Sequence, residues 1–437
     1  MKKNFLERFD FILILSVLIL VGLGVAFIYS SGINSSGILV TNEHIKQIIW
    51  AGIGFVFMIF FAMYDYRKLS RYAVQFFAGF LALLIFTRFF GRESHGARSW
   101  LGIGEVGFQP SEFGKIFYIL MLAKYLDISI NENQFKRMII SVLIFMAPTG
   151  LILIQPDLGT ASVYIPIFFI MCFIAGIPSR YIIFLLATGF SMIVFTILPV
   201  WNEFIAHNSF GVVAIFENFK LKLILIFATT LICLLCFIVR RYFHFAHYFY
   251  WIAYVFAILS LGLIFSSVGE KVLKDYQIKR LIVFMDPNVD RLGAGWNIIQ
   301  SKIAIGAGGL FGRSFLHGTQ SHYRFLPEQS TDFIFSILSE ELGFIGGIIV
   351  FVLYFIIMLR TIIIIKNCSN RFGSYIAAGF LGMFMMHFFV NVGMVMGIMP
   401  ITGIPLMFLS YGGTSLLTAM TAIGILMSIN SRKYDFA

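Results

Sequence analysis

Twelve apolar runs, each near the length that crosses a bilayer, constrain this chain more than anything else in it. A spanning helix needs about 20 apolar residues. Such runs fall at 11–30, 46–64, 72–89, 111–126, 138–154, 158–175, 181–199, 221–239, 248–266, 333–359, 373–397 and 405–429. Composition agrees: 59% of residues are hydrophobic, 12% are charged and mean hydropathy is +0.91, against about 25% charge in a soluble domain. The chain reads as an all-α, polytopic transmembrane helical bundle, a single integral membrane domain over 1–437.

A net charge of +11 would suit nucleic acid if it were gathered on one face, but the basic residues are scattered through short loops, which excludes that class. Their order gives sidedness instead. Lys2, Lys3 and Arg8; Arg67, Lys68 and Arg71; Lys136 and Arg137; Arg180; Arg240 and Arg241; Arg360 to Arg371; and Arg432 with Lys433 occupy alternate loops. The positive-inside rule makes those loops and both termini cytoplasmic. The first run follows MKKNFLERFD with no small-residue cleavage site after it, so it reads as a retained span rather than a signal peptide. Cys172, Cys233 and Cys236 lie in apolar runs and Cys368 in a basic loop, which is no disulfide or zinc pattern; CxxC on a helix makes same-face neighbours.

The complementary loops face outward; those of note are 90–110 and the longest, 267–331, and long loops tend to carry function. Within the second, WNIIQSKIAIGAGGLFG is apolar, shorter than a span and ends in glycines. It reads as a re-entrant or interfacial segment. In the first, Gly102, Gly104 and Gly107 spell GxGxxG, but a dinucleotide site needs a strand and a βαβ unit, and a membrane span follows here.

The charged residues at the outward ends of spans carry the chemical interest. Glu112 and Lys115 in QPSEFGK sit three apart on one helical face and can pair, and Asp157 in QPDLGTA lies at an outward turn. Asp332 stands where FLPEQSTD enters the tenth span. Each has an ordinary reading as a salt bridge or helix cap, and each is also a functional candidate because acids near membrane depth are costly. Four such charges on one side suggest a shared hydrated cavity. Glu340 and Glu341 follow two turns below Asp332; at 100° per residue at most one of them faces the same cavity. His387 and Asn391, spaced i, i+4, read as interhelical hydrogen-bond partners.

The strings GARSWLGIGEVGFQPSEFGKI, QPDLGTA, DYQIKRLIVFMDPNVDRLGAGWNIIQSKIAIGAGGLFG, LHGTQSHYRFLPEQSTDFIFSILSEELG and NVGMVMGIMPITGIPLMFLSYGGTS resemble the SEDS family of cell-wall glycosyltransferases. The HGTQS run at 317–321 points to its rod-shape branch over its division branch. The resemblance implies a bundle of about ten spans, to which this chain adds a loop and two-span hairpin over 200–266, making twelve, with the long extracytoplasmic loop 267–331 before the family's last three spans. PLMFLSYGGTS replaces a usual second proline.

The implied function is a peptidoglycan glycosyltransferase that polymerises lipid II at the outer face of the bacterial cytoplasmic membrane during elongation and shape maintenance. A lipid-precursor flippase and a non-catalytic scaffold of the elongation complex are the competing classes; a transporter would gather its charges near the midplane. The resemblance makes Asp332 the base that takes the acceptor hydroxyl's proton. Lys115, Arg98 and Lys302 are candidates to stabilise the undecaprenyl diphosphate leaving group, or a divalent cation (Mg or Mn) does so. Glu112 and Asp157 would orient Lys115 or, with Asp332, hold that metal. Gln109 and Glu328, in the same strings, join the substrate-binding candidates. No organic cofactor is implied. The implied partners are a class B penicillin-binding protein, other elongation-complex proteins and membrane lipid.

Overall fold

The structure, a computed structural model, describes residues 9–94, 97–103, 106–202, 213, 216, 218–242, 247–272, 275–291 and 293–432. Gly104 and the stretch 203–212 of the expected insertion lie outside the described residues. In chain order the long helices are α1 (Phe11–Ser31), α2 (Glu43–Met63), α3 (Leu69–Phe90), α4 (Pro110–Ile128), α5 (Gln134–Ile154) and α6 (Leu158–Ile174). They continue as α7 (Ser179–Trp201), α8 (Phe219–Tyr242) and α9 (His247–Val272), the shorter α10 (Asp275–Met285), α11 (Ala294–Gly308) and four-residue α12 (Thr319–His322), then α13 (Ile334–Asn367), α14 (Arg371–Val395) and α15 (Gly413–Ser431).

Each of the twelve apolar runs has its helix, and among the described residues ten are long and apolar enough to cross a membrane. The other two, α4 and α6, begin at the Glu112, Lys115 and Asp157 charges. Helix α4 carries Glu112, Lys115, Lys124 and Asp127, and α6 has 17 residues, about 25 Å of rise. The all-α reading holds, with one small addition. The loop 90–110 contains a three-stranded antiparallel sheet of β1 (Arg92–Ser94), β2 (Ala97–Ile103) and β3 (Val106–Phe108). Gly102 and Gly107 are cross-strand partners in it, so two of the three GxGxxG glycines belong to a hairpin and not to a phosphate loop.

Several helix starts are capped by the side chain the sequence offers there: Asp10 accepts from Leu13 N–H (3.2 Å), Asn133 from Phe135 N–H (2.9 Å), Asp157 from Thr160 N–H (3.0 Å) and Asn370 from Phe372 N–H (2.9 Å). The chain divides into two compact units, residues 1–177 with 297–437, and residues 178–296. In the smaller unit α8 and α9 form the hairpin expected at 221–239 and 248–266. The hydroxyls of Thr230 and Ser260 meet at 2.7 Å, and buried Lys222 donates to Ser266 at 2.9 Å.

In the larger unit α14 and α15 are the buried centre. Helix α1 runs along α13, fixed at one end by Arg360, which grips Asp10 at 2.7 and 2.6 Å, and at the other by Ser30 donating to Glu341. Asp10 and Ser30 are about 30 Å apart by helix rise, the thickness of a bilayer core.

Two departures from regular spans shape the end of the bundle where the Glu112, Lys115, Asp157 and Asp332 charges lie. The first is a break in α13 at Gly343, whose φ of 66° and ψ of −159° belong to a region essentially reserved for glycine. The turn after α11 enters this break. Gly309 and Leu310 accept from Phe344 and Ile345 N–H (2.9 and 3.3 Å), and Arg313 N–H donates to Glu340 O at 3.0 Å. The glycine-ended segment read as re-entrant thus satisfies the backbone groups that the break exposes.

The second departure is a correction. The last span, expected to begin at 405, begins at Gly413, and residues 401–406 run without helix. Ile404, Leu406, Met407, Phe408 and Leu409 are nonetheless 0–2% exposed. Pro405 and the positive φ of Gly403 (69°) and Phe408 (72°) interrupt the helix. Side chains replace its hydrogen bonds: Asn391 donates to Ile404 O, His387 to Pro405 O, Tyr354 to Met407 O and Gln47 to Ser410 O. Irregular backbone is tolerated deep in a membrane protein on that condition.

Candidate active site

The site is built where α4 and α6 begin, where α14 approaches its end and where the 328–333 turn enters α13. Pro110 opens α4, its fixed φ suiting a first turn, and one face of that helix presents Ser111, Glu112 and Lys115. Lys115 Nζ donates to Glu112 Oε1 at 2.6 Å and lies 3.0 Å from His387 Nε2. An ammonium has no acceptor, so His387 Nε2 accepts and its Nδ1–H donates to Pro405 O at 2.9 Å, which fixes the neutral tautomer. Lys115 is 0% exposed and Glu112 4%. Among the described residues Glu112 Oε2 is buried with no partner.

Asp157 sits beside this pair. It caps α6 through Thr160 N–H, accepts from the Thr160 hydroxyl at 2.8 Å and from Gln109 Nε2 at 2.9 Å, which links the starts of α4 and α6. Burial pushes the Asp157 carboxyl up; the two Thr160 bonds pull it down, Glu112 adds to the rise and Lys115 opposes it. Glu112, Lys115 and Asp157, three of the four charges expected to share a cavity, are therefore brought together, with Gln109 beside Asp157.

Asp332 approaches from the other side. The N-cap of α13 is Phe333 and its first helical residue is Ile334, so Asp332 is not the capping residue. Its N–H donates to Glu328 O at 3.1 Å, and its own carbonyl accepts from Asn391 Nδ2 at 3.0 Å. Glu328 has a φ of 50°, a strained conformation for a non-glycine residue. Its carbonyl also takes the Thr331 hydroxyl at 3.2 Å and its carboxylate the same hydroxyl at 3.3 Å. Tyr411 N–H closes on Ser330 O at 2.8 Å. Glu328 thus shapes the turn with its main chain.

His387 and Asn391 are one helical turn apart on α14, and together they connect the two sides: His387 meets Lys115, and Asn391 holds the Asp332 turn. Both also catch the neighbouring carbonyls of residues 404 and 405. Their i, i+4 spacing suits a helix-joining pair; their partners are mostly loop carbonyls, which no local pattern announces.

The cations separate by exposure. Lys115 is wholly enclosed, so it does not present its charge to a ligand, contrary to the expectation for the leaving group. Arg98 is half exposed on the sheet and pairs with its cross-strand neighbour Glu93 at 3.6 Å. Lys302 is exposed on α11. Next to it Ser301 donates to Val395 O at 2.7 Å and meets Ser336 Oγ at 2.8 Å, which fixes α11 against the end of α14 and the first turn of α13. The Lys302 chain lies over Gly397, where a Cβ would collide with it.

Glu340 and Glu341 are both 0% exposed and both serve the loop before them. Glu340 accepts from Thr319 N–H and hydroxyl (2.7 and 2.9 Å) and from Gln320 N–H (3.0 Å); Glu341 accepts from Leu316 N–H (3.0 Å) and Ser30. The HGTQS run is what they hold. Burial pulls the neighbouring His322 down. Glu112 Oε1 serves Lys115 and the Asp157 oxygens serve Thr160 and Gln109, and among the described residues no three His, Cys, Asp or Glu side chains form a group that could hold an ion.

The profile of the FtsW, RodA and SpoVE family, described as a cell cycle protein, matches residues 11–208 and 223–435. The match takes in all of α9 and nearly all of α8 and is interrupted at 209–222. The peptidoglycan glycosyltransferase RodA of Treponema pallidum (strain Nichols) is 51% identical over 436 residues, 99% of this chain and 100% of that protein. Among solved structures, a chain of a peptidoglycan synthase complex, described for its coordination of polymerization and crosslinking, aligns with a TM-score of 0.68 at 24% identity, covering 98% of this chain and 99% of that one. The Thermus thermophilus rod shape determining protein RodA aligns with a TM-score of 0.61 at 22% identity, covering 98% of each chain.

Proposed function

The chain belongs to the FtsW, RodA and SpoVE family of cell cycle proteins, and from that premise we propose that it is a peptidoglycan glycosyltransferase of the RodA type that joins lipid II units into glycan strands at the outer face of the cytoplasmic membrane. The identity to a named peptidoglycan glycosyltransferase over essentially the whole chain supports the activity. The placement of Asp332, half-buried in a turn whose main chain is held by Glu328 O and the Asn391 side chain and outside the cap of α13, supports its role as the base.

In this reading the Asp332 carboxylate takes the proton of the acceptor sugar's hydroxyl as that oxygen bonds to the donor's anomeric carbon. The bond from that carbon to the diphosphate breaks, and the diphosphate departs with the electron pair. Lys302, exposed and carried on an anchored helix, is the cation best placed to meet the leaving charge, with Arg98 as a second. Lys115 acts from behind, balancing Glu112 and fixing His387. No step is routed through a divalent cation.

The likeness to a chain of a synthase complex supports a cross-linking partner, which we take to be a class B penicillin-binding protein. The alternation of basic loops supports a cytoplasmic location for both termini. A transporter reading gains one feature from the break at Gly343, but the acids there bind the chain's own 316–320 segment, which leaves them no cargo role.

Purified protein incubated with labelled lipid II tests the proposal. Glycan polymer that accumulates with time supports it; movement of lipid II across a vesicle bilayer with no polymer formed would assign the chain to transport.

A further inference from the structure

Asn391 is 0% exposed, and its Nδ2 donates to two main-chain carbonyls, Asp332 O at 3.0 Å and Ile404 O at 2.8 Å. Neither carbonyl belongs to a helix. A residue that only joins helices would bond a helix or its side chains; this one bonds the turn that carries the proposed base and an extended strand of chain beside it. The amide orientation follows from the partners, because an amide oxygen facing two carbonyls would leave three acceptors together. Its Oδ1 has no partner among the described residues, so the contribution of Asn391 is its two donors.

The geometry points to Asn391 as a positioning residue for Asp332, an inference that rests on Asp332 being the base. Bonds that hold the turn include Asp332 N–H to Glu328 O, Tyr411 N–H to Ser330 O, and Asn391 to Asp332 O. The first lies within the turn and leaves it free to tilt as a body. The second holds a residue two positions before Asp332. Asn391 binds Asp332's own peptide from the buried face of α14, and through Ile404 it references that peptide to the 401–406 segment. His387, one turn away, does the same for Pro405 and reaches Lys115. Loss of the Asn391 donors would let the Asp332 peptide shift, and misplacement of a catalytic group by about 1 Å can lower the rate about 10²-fold.

The test compares Asn391→Ala, Asn391→Ser and Asp332→Asn in the purified full-length protein, with kcat and KM for lipid II and hydrogen exchange of the peptides covering 325–336 and 376–395. The expected result is a fall in kcat of at least about 10-fold for Asn391→Ala with KM within about twofold of the parent. Asn391→Ser, whose hydroxyl serves one carbonyl, falls between. Exchange should rise in 325–336 and stay unchanged in 376–395. Unchanged kcat in Asn391→Ala overturns the inference, as does a loss in both variants that comes with faster exchange throughout α14, which marks Asn391 as structural. If Asn391→Ala does not fold, the Asn391→Ser kinetics decide alone. An active Asp332→Asn would instead sink the assignment of the base, so the two failures are distinct.

Discussion

With its ammonium enclosed between Glu112 and His387, Lys115 contributes charge balance where a reachable cation would contribute ligand binding. Removing one partner of a buried pair leaves the other charge uncompensated and costs about 3–5 kcal/mol, whereas replacing both with apolar or neutral groups is close to neutral. Lys115→Met should therefore lower the thermal unfolding midpoint sharply, and adding Glu112→Gln should restore most of it. Equal midpoints for the single and double variants would show that the pair is not coupled. The pairing was legible because residues three apart share a helical face; the third member was not, because His387 comes 272 residues later and no local pattern ties it to α4. Asp157 was legible as a cap and is one, though its bond to Gln109 emerges only when α4 and α6 start side by side.

At the level of elements, hydropathy and length located every spanning helix, because a long apolar run in a bilayer has few alternatives to a helix. They could not separate a helix from apolar chain buried in an extended path, since both are equally hydrophobic. That is why residues 405–412 were counted in the last span. The signals that dissent are Gly403 and Pro405, and the compensation, four side chains bonding four carbonyls, comes from distant parts of the fold. The break in α13 was equally silent, since one glycine in an apolar helix is tolerated. Gly343→Ala tests it: the conformation excludes a Cβ at a cost of about 1–3 kcal/mol, and that Cβ would meet Gly312 backbone. The variant should unfold at lower temperature and expose the 309–318 segment to protease first. Parental stability with parental cleavage would mean that the break does not need glycine.

Across the whole molecule, the family strings spread from the 92–108 sheet to the start of α15 are what made the activity legible, while the boundaries of the two compact units, at 177/178 and 296/297, left no mark in the sequence. Sidedness rests on the basic loops. Reporter fusions at Lys68, Arg241 and Cys368 should report cytoplasm and those near Gly91 and Asp290 the outside; an outward signal at Arg241 would contradict the α8–α9 hairpin as a pair of spans. Asp332, the proposed base, is fixed by α14, the 401–412 segment and its own turn together. The direct measurement is therefore lipid II polymerisation by intact protein carrying Asp332→Asn. Asn keeps the shape and accepts hydrogen bonds but cannot take up a proton. The folded variant should lose at least about 10² in rate, with Asp332→Glu between it and the parent. A well-folded Asp332→Asn protein that still makes glycan at the parental rate would contradict the assignment of the base.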